Sequence, residues 1–235
     1  VQSGIPYERV FLVGAMSHDE RVAEVARAAM DAGTAIVEVT RTELDMMTGG
    51  AVHQGVAIEV PPYEYVDVER LVELGQRSGR TGLIVALDSV TDPHNLGAVM
   101  RSAAAFRADG VLIPERRSAS VNATVWKVSA GAAARLPVAR ETNLVRALSW
   151  LKEQGYFVLG LAGDGEVDVA GADMADVPVV LVTGSEGAGL SRLVRETCDV
   201  VVSIPIDSAT ESLNAAVATG IALYQIDSDR KDVQG

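Results

Sequence analysis

The sequence predicts an α/β protein: a mostly parallel sheet covered by helices, preceded by a smaller α/β unit. Three observations support this. Apolar runs of strand length, such as LIVALDS from residue 83 and PVVLVTG from residue 178, are almost continuous in Val, Ile and Leu. Helical patterns alternate with these runs, and turn residues separate them. Strands of this composition are buried on both faces, which is typical of parallel sheets between helical layers.

The first 62 residues form the smaller unit. Strands are predicted at ERVFLVGA, AIVEVT and GVAIEVP, and helices at HDERVAEVARAAMDAG, which ends at Gly33, and at RTELDMMTGG. Pro61 and Pro62 end the unit. The polar stretch that follows, with one helix at VERLVELGQ, is the predicted linker. We therefore expect domains at 1–62 and 83–235, joined by a linker at 63–82.

The second domain continues the alternation. Strands are predicted at LIVALDS, GVLIP, YFVLGLAG, PVVLVTG and VVSIPI, with a short segment at PVARE. Helices are predicted at NLGAVMRSAAAF, SVNATVWKVSAGAAARL, NLVRALSWLKEQG and about residues 211–226. The sequence contains no internal repeat.

Composition restricts the class of protein. The chain has 235 residues, 48% hydrophobic and 22% charged, which is enough apolar material for a substantial core. The single cysteine, Cys198, excludes an intramolecular disulfide and a cysteine-rich zinc site. Apolar runs are too short to cross a bilayer. We expect a cytoplasmic protein without a membrane segment or a metal.

Charge is distributed unevenly. A net charge of -12 argues against a nucleic-acid partner, because lysines and arginines make the phosphate contacts. Between Arg101 and Arg146, however, the sequence contains eight basic residues and three acidic ones. This stretch predicts either a phosphate-binding surface or a solvated face with scattered arginines.

Three loops that follow strands are candidates for a ligand site: GLAGDG, TGSEGAGL and IPIDSATESLNAA. Ligands of such sheets bind at the carboxyl ends of the strands. The loops lack the Gly-Lys-Ser/Thr of a Walker loop, the first strand–helix turn lacks a dinucleotide fingerprint, and Ser185 lacks nucleophile-elbow spacing. His94 reads as a general base or, preferably, a turn residue that bonds locally. Glu186 reads as a helix-start acid or a partner for Arg101.

NLGAVMR, VTGSEGAGL and IPIDSATESLNAAVATG, in this order, closely resemble the three motifs of the SpoU (TrmH-like) branch of SPOUT RNA ribose 2′-O-methyltransferases. The resemblance covers residues 83–226. HQGVAIEV and the unit around it also resemble the ribosomal-protein-like RNA-binding domain of the bacterial 23S rRNA members. The third motif departs from the family in reading Asn214-Ala215-Ala216 where Asn-Val-Ser is common, but Ser212, Leu213 and Asn214 are intact.

The resemblance implies a C-terminal SPOUT domain with a deep trefoil knot, S-adenosylmethionine as cofactor, RNA as partner and a homodimer formed through the knotted domain. The implied catalytic residues are Asn95, Arg101, Glu186, Ser212 and Asn214. The implied cofactor-binding residues are Leu161, Ala162, Thr183, Gly184, Gly187, Ile204, Ile206, Ser212 and Leu213. Candidate RNA-backbone contacts are Arg107, Arg116, Arg117 and Arg135.

The chemistry accounts for an arginine in the first motif. A ribose 2′-hydroxyl must lose its proton as it attacks the methyl group in line. An arginine, with a pKa above about 12, is a poor proton acceptor, so we expect Arg101 to bind the adjacent phosphate and Glu186 to brace its guanidinium. The proton acceptor is left open, and some accounts of the family assign it to the arginine itself.

The substrate expected from the resemblance is large-subunit (23S) ribosomal RNA. Three alternatives stay open at this point. The chain could methylate transfer RNA, it could be a resistance enzyme that protects a producer's ribosome, or it could be a catalytically silent RNA-binding homologue.

Overall fold

The computed structural model describes residues 6–14, 19–207 and 209–234. Contacts between Cα atoms divide the chain into two compact units, Val1–Tyr63 and Glu64–Gly235. In the described chain, no helix has the length and apolar character needed to span a membrane.

The first unit is a three-stranded sheet with two helices. It contains, in chain order, β1 (Arg9–Val13), α1 (Glu20–Asp31), β2 (Ala35–Val39), α2 (Arg41–Met47) and β3 (Val56–Glu59). β1 lies in the centre, parallel to β2 and antiparallel to β3. All five predicted elements are present in the described residues. The predicted helix start at His18 lies outside them, and α1 is described from its cap, Asp19.

The helix predicted at VERLVELGQ is present, and it belongs to the second unit. α3 (Val68–Ser78) buries Val68, Leu71 and Val72 in the core of this unit. The predicted linker at 63–82 is therefore wrong. The polar residues of the stretch 63–82 suggested a connection, but the apolar residues of its helix recur at helical spacing and pack into the core of the second unit.

A seven-stranded parallel sheet follows. Its strands and helices are β4 (Leu83–Asp88), α4 (Pro93–Ala105), β5 (Gly110–Pro114), α5 (Ala123–Val128), β6 (Val138–Glu141), α6 (Leu144–Glu153), β7 (Phe157–Leu161), β8 (Val167–Asp168), β9 (Val179–Gly184), α7 (Arg192–Thr197), β10 (Val200–Ser203) and α8 (Ala215–Gln234). The strand order is β6-β5-β4-β9-β7-β10-β8, and every pairing is parallel.

The predicted fold class is confirmed, and three details differ. β8 and α7, which are short, were not predicted from the sequence. The long helix predicted at 120–136 is α5 followed by a 3-10 turn, because Ala130 and Gly131 both adopt positive φ and interrupt it. The last helix begins at Ala215, four residues later than predicted. The trefoil knot stays a prediction.

Two features fix the helices that carry the motifs. Gly97 lets α4 lie against α5, since a Cβ at this position would be 2.8 Å from Val128 Cβ. The Arg230 guanidinium, near the end of α8, donates hydrogen bonds to the carbonyls of Thr81, Gly82 and Val177. These carbonyls precede β4 and β9, so Arg230 ties α8 to the two central strands.

Candidate functional site

A cavity of about 910 Å³ lies at the carboxyl ends of β7, β9 and β10. These strands are neighbours in the sheet. The cavity therefore occupies the position where parallel sheets bind ligands, and its volume suits a small-molecule cofactor. All nine residues expected to bind the cofactor line it: Leu161, Ala162, Thr183, Gly184, Gly187, Ile204, Ile206, Ser212 and Leu213.

The loop after β9 forms one wall as a tight turn. Ser185 and Gly189 exchange backbone hydrogen bonds of 3.1 and 2.9 Å, with Glu186 and Gly187 at the tip. Gly187 and Gly189 adopt positive φ values of 79° and 65°, a conformation that favours glycine. Gly184 has no room for a side chain, since a Cβ would lie 2.1 Å from the carbonyl carbon of Gly189. The glycines of this motif thus build the cavity wall.

Two buried threonine hydroxyl groups connect β9, at the cavity, to α8. Thr183 Oγ1 and Thr219 Oγ1 are 2.8 Å apart, and Thr219 Oγ1 also donates to the carbonyl of Ala215 at 2.7 Å. Both threonines are buried. Because Ala215 is the first residue of α8, this pair fixes the start of the helix beside the end of β9.

Three polar residues from the three motifs meet at the rim of the cavity. We call Asn95, Glu186 and Asn214 the polar triad. Asn95 Nδ2 donates to Glu186 Oε1 at 3.1 Å, and Asn214 Nδ2 donates to Asn95 Oδ1 at 2.9 Å and to Glu186 Oε1. Asn214 Oδ1 accepts from the backbone N–H groups of Ala216 and Val217, so the same side chain caps α8.

Arg101 lies apart from the polar triad. Its side chain is exposed, and it forms neither an ion pair nor a hydrogen bond with another described residue. The expected brace between Glu186 and Arg101 is therefore absent from the described chain. Glu186 takes its hydrogen bonds from two uncharged amides instead, because Asn95 and Asn214 are the donors that α4 and α8 bring to it.

The other predicted residues divide into two groups. All four arginines are exposed: Arg107 donates to Asp227 of α8 at 3.0 Å, whereas Arg116, Arg117 and Arg135 form no ion pair with another described residue. His94 is exposed, and its backbone N–H is bonded to the Asp92 side chain, which begins α4. His94 therefore lies in the first turn of α4, and the role of its side chain stays a prediction.

The cavity is acidic, a property that was not predicted from the sequence. Four carboxylates and one guanidinium line it: Asp164, Glu186, Asp207, Glu211 and Arg195. Arg195 donates to Asp164 at 2.8 Å, and this hydrogen bond lowers the pKa of Asp164. Glu211 adjoins Ser212, and Asp164 lies in the GLAGDG loop. The acidic residues of the strand-end loops could therefore have predicted an acidic cavity from the sequence. Arg195 is on α7, where no local pattern marked it.

These residues fit S-adenosylmethionine. Its sulfonium and ammonium groups give it a net positive charge, which complements the excess of carboxylates. Its adenine requires apolar contacts, which Leu161, Ile204 and Leu213 can provide. No cluster of three or more metal-binding side chains occurs within residues 6–14, 19–207 and 209–234.

Comparisons with known proteins agree with this geometry. Residues 82–224 match the SpoU rRNA Methylase family, and residues 1–66 match the family described as RNA 2'-O ribose methyltransferase substrate binding. A protein of Mycolicibacterium vanbaalenii named "Uncharacterized tRNA/rRNA methyltransferase" is 50% identical over 231 residues, which cover 98% of this chain and 73% of the relative. A Mycobacterium ulcerans protein of the same name is 49% identical, with coverage of 98% and 74%.

Solved structures are similar over the whole chain. The SpoU methyltransferase AviRb of Streptomyces viridochromogenes, in complex with the cofactor AdoMet, aligns with a TM-score of 0.75 and 26% identity, covering 100% of this chain and 86% of that one. An AdoMet-bound rRNA methyltransferase from Sinorhizobium meliloti aligns with a TM-score of 0.75 and 26% identity, covering 99% and 82%.

Proposed function

Because the chain belongs to the SpoU rRNA methylase family and is an RNA methyltransferase that uses S-adenosylmethionine, we propose that it methylates a ribose 2′-hydroxyl of large-subunit ribosomal RNA. The observation that carries the proposal is the polar triad, in which side chains from all three motifs meet at the rim of the cofactor cavity. The substrate-binding match over residues 1–66 supports ribose as the acceptor.

The residues divide the work between binding and positioning. The bound cofactor supplies an activated methyl group on a sulfonium. The loops after β7, β9 and β10 hold it, while the acidic lining favours its positive charge over the neutral product. Glu186 Oε1 is occupied by two amide donors, and its Oε2 has no hydrogen-bond partner among the described residues. We assign Oε2 and the Ser212 hydroxyl to orienting the ribose.

Arg101 completes the proposed site from outside the cavity. Its exposed guanidinium, which has no partner among the described residues, suits the RNA phosphate next to the target ribose. Arginine binds phosphate through bidentate hydrogen bonds and stays charged. Binding that phosphate would fix the hydroxyl in line with the methyl group, and such alignment is a large part of catalysis in a transfer of this kind.

Arg101 should be required for methyl transfer but not for binding of the cofactor. We expect Arg101→Ala to lower kcat/KM on the order of 100-fold, about 2.7 kcal/mol of transition-state stabilisation. The Kd for S-adenosylmethionine should stay within twofold, because Arg101 does not line the cofactor cavity. The measurement uses methyl-labelled cofactor, unmodified transcripts of Mycolicibacterium large-subunit rRNA and tRNA, and calorimetry for cofactor binding.

Arg77→Ala is the control, since Arg77 is also exposed but lies on α3. Alkali-stable label in the large-subunit transcript supports ribose methylation. Label confined to transfer RNA, or label located on a base, would overturn the proposal.

We also propose that the enzyme is a homodimer formed through α8. Val217, Ile221 and Tyr224 lie on one face of this helix and are 51%, 38% and 62% exposed. An apolar stripe of this kind on a surface helix is a candidate protein contact.

Ile221→Asp should shift the protein from dimer to monomer in sedimentation velocity at micromolar concentration, because a carboxylate buried in an apolar interface is strongly unfavourable. Val177→Asp is a matched control, since Val177 is equally exposed but lies outside α8. A wild-type protein that sediments as a monomer, or an Ile221→Asp variant that stays dimeric, contradicts this interface.

A further inference from the structure

A second recess, of about 560 Å³, lies between α4 and the 3-10 turn that follows α5. We call it the arginine recess. Arg101 and Arg135 supply its only long polar side chains among the described residues, and most of its wall is made of alanines. The other lining residues are Ala104, Ala105, Ala108, Ser129, Ala130, Ala132 and Leu136.

The charge of the arginine recess has one sign. Two guanidinium groups and no carboxylate line it, although the whole chain carries a net charge of -12. Both arginines are exposed, and neither has an ion pair or hydrogen bond with any other described side chain. Arg107, by contrast, is neutralised by Asp227. Two unpaired guanidinium groups in one concavity suit an anion with several oxygen atoms.

The recess is connected to the candidate active site through α4. Arg101 follows Asn95 by six residues on this helix, which is about 9 Å of helical rise. Asn95 is bonded to Glu186 at the rim of the cofactor cavity. Six residues also turn the helix through about 600°, so Arg101 lies about 120° around α4 from Asn95. An RNA strand that places a ribose beside Glu186 can wrap around this side of α4 and bring a neighbouring phosphate to the recess.

The walls explain why a nucleotide backbone would fit. Alanines at positions 104 and 105 of α4 and at 108 just after it keep the wall free of long side chains, and the positive φ values of Ala130 and Gly131, 49° and 84°, end α5 beside the recess. Ser129 is buried and bonded to the Trp126 carbonyl, so the floor offers no competing charge. The recess has room for a sugar–phosphate unit, and the two arginines line it.

We propose that the arginine recess binds a phosphate of the RNA strand that flanks the methylated nucleotide, clamped between Arg101 and Arg135. This rests on the proposed function for the identity of the ligand as RNA. Arg135 is a positioning residue: it holds the flanking strand and sets RNA affinity, whereas the chemistry takes place at the polar triad.

The expected signature of Arg135→Ala is a change in RNA affinity and its salt dependence. KM for a large-subunit rRNA transcript should rise about tenfold with kcat within twofold. The slope of log Kd against log[KCl], measured by filter binding with the same transcript and no cofactor, should fall in magnitude by about 0.7 to 0.9, which corresponds to one phosphate contact. Arg135→Lys should keep the wild-type slope, because it keeps the charge.

Arg77→Ala controls for the loss of one exposed positive charge elsewhere, and it should leave both KM and the slope unchanged. An unchanged slope and KM in Arg135→Ala would overturn the recess as an RNA site. So would a change in sedimentation of Arg135→Ala, because it would assign the recess to a protein contact. If the wild type binds the transcript but transfers no methyl group, the proposed function fails, while a reduced slope in Arg135→Ala still supports the recess.

Discussion

Replacing Gly184 by alanine should destroy the cofactor cavity. The added Cβ would lie 2.1 and 2.2 Å from the carbonyl carbon and oxygen of Gly189 and 2.4 Å from the backbone nitrogen of Leu190. All three atoms belong to the backbone, so no side-chain rotation relieves the clash. The turn that carries Glu186 must move, and overpacking of this kind costs about 1–3 kcal/mol. We expect the Kd for S-adenosylmethionine to rise at least about tenfold and methyl transfer to be lost.

Gly163→Ala is a matched control for this substitution. Gly163 also lines the cofactor cavity, but a Cβ there has no atom within 4 Å. Calorimetric titration of both variants separates the two cases. Wild-type cofactor affinity in Gly184→Ala would show that the turn after β9 is not the cavity wall that binds the cofactor.

Asn214→Asp should inactivate the enzyme while leaving it folded. Aspartate keeps the oxygen that caps α8 through Ala216 and Val217, and Asp is as good an N-cap as Asn. It replaces the amide that donates to Asn95 and Glu186 with a second carboxylate. Losing hydrogen bonds to a charged group costs about 1.5–3 kcal/mol each, so we expect kcat/KM to fall on the order of 100-fold.

A second cap tests whether this effect belongs to the polar triad. Asn143 caps α6 by accepting from the Arg146 backbone N–H, and none of the described carboxylates is bonded to it. Asn143→Asp should retain full activity. Circular dichroism should show native helix content in both variants. Full activity in Asn214→Asp would mean that the bond between Asn214 and Glu186 has no part in methyl transfer.

The sequence by itself determined the fold class, the family and the cofactor. Apolar patterning is a local property: continuous six-residue runs with β-branched side chains, such as residues 83–88 and 179–184, favour buried parallel strands between two helical layers. In a parallel sheet the carboxyl ends of neighbouring strands share one edge. Loops distant in the sequence are therefore expected around one cavity from the sequence alone.

The partners of the charged and amide side chains were decided only by the tertiary structure. Which donor reaches Glu186 depends on how α4 and α8 pack beside β9, and strand order together with contacts such as Thr183 with Thr219 sets that packing. Asn95 and Asn214 reach the carboxylate, and Arg101, six residues further along α4, instead lines a recess with Arg135. Spacing along the chain fixes which residues share a helix. A hydrogen bond, however, requires its two atoms to lie within about 3 Å, and for residues on different helices this distance depends on how the helices pack.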